Sequence, residues 1–288
     1  MTAVNPLNQI VNFEPQSWDD ILGNRTIREY FKDMIYNVRV VGRWADLNAL
    51  VIGAPRTGKS ASILYGMKCL GCFNLNFETL DACGTCASCQ GKQYKYGNRE
   101  WEHWCSILSD DEAPTPIEFH YAPVDCTTLD VEGIKKLTID LEANEHILNV
   151  IYLDEIHRLC SRNMDEKLLI PMDKFPAIWI ASSAYADRKD GSSGRPLEKM
   201  LQNRFTYRLP TEKPTDQELA IWTARQCKRI GITVEDPKST LNLLAQRCDR
   251  IPGMAIAVLR KAFNKREKIL TRKLLDEHVF DFDDGVIA

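Results

Sequence analysis

The sequence predicts an α/β domain on a parallel sheet, followed by a helical domain, and three observations carry that prediction. Short apolar runs at Ala49–Ile52 and at residues 117–121, 149–153 and 178–181 read as buried strands. Segments with helical spacing alternate with them, the order that builds a parallel sheet covered on both faces. From Leu209 the rhythm stops: Pro210 and Pro214 bracket a linker, no strand signal follows, and the remainder reads as helix.

Residues 1–17 show no periodicity and read as an extended arm. Ile27, Phe31, Met34, Ile35 and Val38 then recur at helical spacing ahead of the strand Ala49–Ile52, which ends at Gly53. A glycine loop and a helical stretch over residues 60–70 follow. A cysteine cluster and a stretch rich in Lys, Tyr, Trp and Asp then interrupt the alternation until Pro116, which reads as an insertion over about residues 69–116. Its Tyr94, Tyr96, Trp101 and Trp104 form either a partner surface or a small core of its own. The helix over 131–141 carries apolar Ile134, Leu137 and Leu141. In the helical domain, Thr215 and Glu218 make a capping box opening a helix that runs to Gly231, with further helical patterns at 239–248 and 254–270. The α/β domain is taken as 18–210, the helical domain as 211–275 and an acidic tail with Asp281, Asp283 and Asp284 as 276–288.

The chain has 288 residues, 44% hydrophobic and 27% charged, enough to bury one large and one small core. No apolar run approaches the roughly 20 residues that cross a bilayer, and no export signal opens the chain, so a cytoplasmic protein without a membrane partner is expected. The net charge of -3 sets up no global basic field. Nucleic-acid contact would therefore need a local patch, for which Lys135, Lys136, Arg158 and Arg162 are candidates. Ten cysteines in such a chain point to a reducing compartment rather than a disulfide scaffold, and five of them fall within residues 69–89.

Residues 53–60, Gly-Ala-Pro-Arg-Thr-Gly-Lys-Ser, match the P-loop pattern, with a strand before and a helix after. Gly53 and Gly58 let the backbone curl, so that N–H groups across Arg56, Thr57, Gly58, Lys59, Ser60 and Ala61 converge on phosphates at the helix N-terminus. Lys59 reaches the β and γ phosphates and the Ser60 hydroxyl binds magnesium. Asp154 and Glu155 end an apolar strand, where open α/β sheets gather ligands. Asp154 is expected to hold the magnesium shell and Glu155 to orient and polarise the attacking water. Cys83, Cys86 and Cys89 repeat at two-residue spacing with Cys72 or Cys69 upstream, a set suited to a closed, structural zinc site.

In the order P-loop, four-cysteine insert, Asp-Glu strand and helical lid, the chain resembles the AAA+ clamp-loader ATPases, in particular the bacterial DNA polymerase III gamma/tau subunits. The resemblance runs from about Trp18 to Phe263. It implies a five-stranded parallel sheet with a zinc-binding insertion and a C-terminal lid, and ATP, magnesium and zinc as cofactors. It places Ile21 and Leu22 in the segment touching adenine, favours Cys72 over Cys69 as first zinc ligand, and puts Ser183 at the sensor 1 position that feels the γ-phosphate. It makes Arg204 the arginine finger reaching a neighbouring subunit's site, and puts Ile256 where the sensor 2 arginine usually stands, with Arg260 as an alternative. The sequence leaves no room after the lid for the family's helical collar, so assembly through the ATPase and lid domains alone is expected. The resemblance implies self-association or assembly with related subunits in a ring, spiral or filament, with DNA and a further protein as partners. The expected function is a DNA-associated, clamp-loader-like ATP-driven switch. A mobile-element regulator, a helicase loader and a non-hydrolysing ATP-dependent scaffold are the alternatives.

Overall fold

The computed structural model describes residues 14–90, 102–103, 119–160, 162–184 and 197–277. They fall into two units, Pro15–Glu212 and a second made of the residues from Lys213 onward together with Glu14. The aromatics Tyr94, Tyr96, Trp101 and Trp104, the start of the strand expected at residue 117, most of the N-terminal arm and the three tail aspartates lie outside the described residues.

The first unit is a sheet in the order β2-β3-β4-β5-β1-β6. Its strands are β1 (Ala49–Ile52), β2 (Glu102–His103), β3 (Phe119–Asp125), β4 (Leu148–Asp154), β5 (Ala177–Ser183) and β6 (Tyr207–Pro210). Five are parallel, and the two-residue β2 pairs antiparallel with β3 at the edge.

Period-2 geometry divides the sheet's side chains between two cores. Ala49, Val51, Tyr121, Val150, Tyr152, Ile178 and Ile180 pack with Ile27, Phe31, Met34, Ile63 and Met67, which come from the helices Arg25–Tyr36 and Lys59–Leu70. Leu50, Ala122, Ile151, Leu153, Trp179 and Ala181 pack on the opposite face with Ile134, Leu137 and Leu141 of the helix Val131–Ala143. Every residue of β4 is buried, as a central strand with both faces covered requires. Tyr152 therefore faces the side of the sheet on which the helix after the glycine loop lies.

Register lines up the strand ends on one edge: Ile52 is level with Ser183 and Pro210, and Asp125 with Asp154. From β1 the chain passes to β2 and β3 at the far edge and returns through β4 to β5 beside β1, and this reversal of strand order opens a crevice above the carboxyl ends.

The second unit is three main helices, Asp216–Arg229, Pro237–Arg247 and Pro252–Asn264, with a short final helix Arg272–Glu277. Thr215 and Glu218 close both halves of the expected capping box. Two expectations need correction. The helical pattern read over 254–270 ends at Asn264, and Ile269–Leu270 pairs in parallel with Thr233–Val234 as a two-stranded ribbon. The last helix also runs on to Glu277, past the expected start of the tail.

Candidate functional site

The glycine loop is built from backbone contacts around two strand ends. The Gly53 N–H donates to the Ser183 carbonyl at 3.0 Å, and the Thr211 N–H to the Ile52 carbonyl at 2.7 Å. Gly58 has φ +96°, a left-handed turn that a glycine adopts without strain and that starts the 12-residue helix Lys59–Leu70. Gly53 answers a different need: a Cβ there would stand 1.8 Å from the Thr211 Oγ1. Arg56, at φ +65°, also turns left-handed, and the Thr57 hydroxyl donates to the Ala54 carbonyl at 2.7 Å.

Lys59 is buried, its Nζ donating to the carbonyls of Gly53 at 2.6 Å and Ala54 at 3.0 Å, across the mouth of the loop. Burial lowers its pKa, while the nearby Glu155 and Asp154 carboxylates work the other way. Ser60 is linked to the acidic strand end through one side chain: the Tyr152 hydroxyl lies 3.2 Å from the Ser60 Oγ and donates to Asp154 Oδ1 at 2.6 Å. Asp154 also takes a short hydrogen bond from the Ser182 hydroxyl. Burial raises the Asp154 pKa above the ordinary carboxylate range, and the Ser182 hydrogen bond only partly opposes it. Glu155 is raised as well, first by burial and then by Asp154. Two adjacent carboxylates and a lysine held near one hydroxyl form a donor set suited to a hard divalent cation beside a phosphate chain.

Ser183 ends β5, and its hydroxyl lies 3.3 Å from the Nδ1 of His157. Ile21 and Leu22 are buried after the short turn Trp18–Asp20. Asn24, 1% exposed, joins this segment to the glycine loop: its Nδ2 donates to the Thr57 carbonyl at 2.8 Å and its Oδ1 accepts from the Glu212 N–H at 2.9 Å. Arg204 grips Asp173 in a two-pronged ion pair at 3.1 and 2.8 Å and donates a third bond to the Met200 carbonyl. Arg162 spends its guanidinium on the carbonyls of Leu129 and Cys126. Lys135 is 3.8 Å from Glu132.

Four thiols converge in the insertion. Those of Cys72, Cys83, Cys86 and Cys89 all lie within 4.8 Å of one another, with the opposite pairs Cys72–Cys86 and Cys83–Cys89 each at 4.0 Å. Four thiolates about 2.3 Å from a tetrahedral zinc stand about 3.8 Å apart, so the set fits that ion with little movement. Backbone N–H groups of Cys83, Cys86 and Cys89 donate to the sulfurs of Cys72, Cys83 and Cys86. A hydrogen bond from Cys89 pulls the Cys72 thiol down to about 5, and the Cys89 donor is pushed up in turn. Cys69 stands apart in the core, where burial raises it to about 12. It is not part of the cluster.

No protein-family model matches the chain, and no curated protein matches it. Solved structures do. A lysine-to-arginine mutant of RuvB from Thermotoga maritima superposes with TM-score 0.58 at 16% identity, over 94% of this chain and 74% of that one. An alanine-to-serine mutant of the same protein gives 0.58 at 16% identity, over 92% and 71%. RuvB described as the Holliday junction branch migration motor gives 0.53 at 16% identity, over 95% and 72%. The chain shares its fold with these structures. In it, the sequence motifs fall around the carboxyl edge of β1, β4 and β5.

Tyr152, Ser182, Asn24 and His157 carry contacts of this site that the motif reading did not assign. Tyr152 lies two residues before Asp154 and so on the same side of its strand, a signal the alternation rule contains. Asn24 and Ser182 left no such signal, because their partners, backbone groups for Asn24 and the Asp154 carboxylate and Glu155 N–H for Ser182, lie far away in sequence.

Proposed function

We propose that the chain is an ATP hydrolase that assembles through shared ATP sites and acts as a DNA-associated, clamp-loader-like switch. The observation that carries this reading is the Tyr152 hydroxyl, which joins Ser60 to Asp154 beside Lys59 and so gathers the magnesium-binding hydroxyl and carboxylate beside a phosphate-binding loop. A bound magnesium nucleotide supplies the triphosphate and the charge that spreads over its oxygens in phosphoryl transfer. The loop from Gly53 to Ala61 and the helix N-terminus hold the phosphates, with Lys59 turning to them from its own loop carbonyls. Ser60 and Asp154 hold the metal, Glu155 orients the attacking water, and Ser183 touches the γ-phosphate side. Ile21 and Leu22 meet the adenine.

Arg204 acts in trans, leaving Asp173 for the site of a neighbouring subunit when copies assemble. Cys72, Cys83, Cys86 and Cys89 hold one structural zinc. The DNA-associated part of the proposal draws on the likeness of fold to RuvB, described as a Holliday junction branch migration motor.

The test is phosphate release from magnesium ATP across a range of protein concentrations, with and without duplex DNA. Turnover per chain should rise with concentration, should fall at least about 100-fold in Lys59→Ala and Glu155→Gln, and should partly return when Arg204→Ala and Glu155→Gln chains are mixed. Failure of the mixture to recover removes the shared site, and absence of release under every condition removes the hydrolase reading.

A further inference from the structure

Glu155 does not hang free at the strand end. Its backbone sits at φ +53°, a left-handed conformation that costs a non-glycine residue about 1 kcal/mol or more and that surrounding contacts must hold. Ser182 supplies them: its hydroxyl accepts from the Glu155 N–H at 3.1 Å and its carbonyl accepts from the Ile156 N–H at 2.9 Å. The turn aims the Glu155 side chain back toward the short helix His157–Cys160, where its Oε2 lies 3.2 Å from the Nε2 of His157.

The other nitrogen of that ring is engaged as well. The Nδ1 of His157 lies 3.4 Å from the Ala184 N–H and 3.3 Å from the Ser183 hydroxyl. An amide N–H can only donate, so Nδ1 must offer its lone pair; a carboxylate can only accept, so Nε2 must carry the proton. The two partners together fix one tautomer and one ring orientation. The Ser183 hydroxyl is the donor to Nδ1 in that tautomer. Ser183 is in turn bound by its carbonyl to the first N–H of the phosphate-binding loop.

We propose that His157 is a positioning residue that joins Ser183 to Glu155, holding one Glu155 carboxylate oxygen by its Nε2–H so that the other faces the water to be activated. The assignment rests on the ATP-hydrolase reading of the same site. In this assignment His157 acts through Glu155. Nucleotide binding draws on Lys59, Ser60 and Asp154 and is untouched by its loss, whereas water activation draws on the orientation of Glu155. A shift of about 1 Å in a positioning group costs about 100-fold in rate, so His157→Ala is expected to lower kcat by roughly ten- to 100-fold with KM unchanged within about two-fold.

The experiment has two arms on the full chain. In the first, 15N spectra of histidine-labelled protein, with the His157 signals identified by their loss in His157→Gln, report which ring nitrogen carries the proton. Protonation at Nε2 supports the assignment and protonation at Nδ1 overturns it, whatever the activity. In the second, steady-state ATP turnover is measured for the parent, His157→Ala, His157→Gln and each in a Glu155→Gln background. The assignment expects a loss confined to kcat, partial recovery in His157→Gln, whose amide keeps a donor within reach of Glu155, and no added loss once Glu155 is already glutamine. An unchanged kcat in His157→Ala, a loss that appears in KM, or a full further loss in the Glu155→Gln background overturns it. A parent that turns over beside an equally active His157→Ala overturns this assignment alone; a parent without turnover overturns the hydrolase reading and this assignment with it.

Discussion

Gly53→Ala tests how tightly the phosphate-binding loop is built into the sheet. The added Cβ would lie 1.8 Å from the Thr211 Oγ1 and 2.7 Å from the Thr211 Cβ and Cγ2. Rotating the threonine clears the first contact but leaves its Cβ where it is, so one backbone must withdraw by about 0.7 Å to reach an ordinary carbon contact of about 3.4 Å. Neither side yields easily, because Thr211 is bonded to Ile52 at 2.7 Å and Gly53 to Ser183 at 3.0 Å. Overpacking of this kind costs about 1–3 kcal/mol, which in a unit of this size lowers the melting temperature by about 2–4 °C per kcal/mol. Thermal and urea unfolding of Gly53→Ala, Thr211→Gly and the double variant form a cycle in which the threonine change should recover most of the loss caused by the alanine. Full additivity of the two changes, or an unaltered melting point in Gly53→Ala, would refute the steric argument.

Three further outcomes follow from other contacts. Asn24→Ala leaves the Thr57 carbonyl and the Glu212 N–H without their buried partner, so stability should fall by about 1–3 kcal/mol and nucleotide affinity with it; urea unfolding and nucleotide titration check both, and an unchanged stability removes Asn24 as the tie. Burial raises the Asp154 pKa, so between the ordinary carboxylate value and the raised one the folded chain binds more protons than the unfolded chain, and stability declines as pH rises through that window. Without magnesium, Asp154→Asn should therefore melt above the parent near neutral pH and converge with it in acid, and a constant difference across pH contradicts the burial argument. For the thiol cluster, elemental analysis should find one zinc per chain, lost in Cys83→Ser and kept in Cys69→Ser; a folded, metal-free parent contradicts that proposal.

What could be read from the sequence follows from where side chains are buried. The central strands β3, β4 and β5 carry apolar residues on both faces and so appear as continuous runs. β6 does not, because at the edge only Leu209 is buried while Tyr207, Arg208 and Pro210 are exposed; the resemblance, not the periodicity, implied a fifth parallel strand. The overrun of the helical pattern past Asn264 has a similar cause. Buried Leu270 continues an apolar spacing that the chain in fact reaches by a turn through Arg266, at φ +59°, and a two-residue strand.

At the site, motif spacing pointed to Lys59, Ser60, Asp154, Glu155 and the cysteines, but it could not rank neighbours whose roles depend on which way a strand faces. Ser183 was singled out, yet Ser182 is the serine that touches Asp154 and holds the Glu155 backbone. His157 stood in plain view two residues after Glu155, and only the turn at Glu155 brings its ring against the carboxylate.

In the proposed ATP hydrolase, Ser60 and Asp154 serve one metal ion beneath a triphosphate. Calorimetric titration of ATP into the parent and into Asp154→Asn, each with and without magnesium, measures this directly. Magnesium should tighten ATP binding to the parent by about ten-fold or more, equivalent to about 1.4 kcal/mol, and should leave Asp154→Asn nearly unaffected. An equal gain from magnesium in both proteins would mean that the ion is held elsewhere and that the carboxylate at the end of β4 is not its ligand.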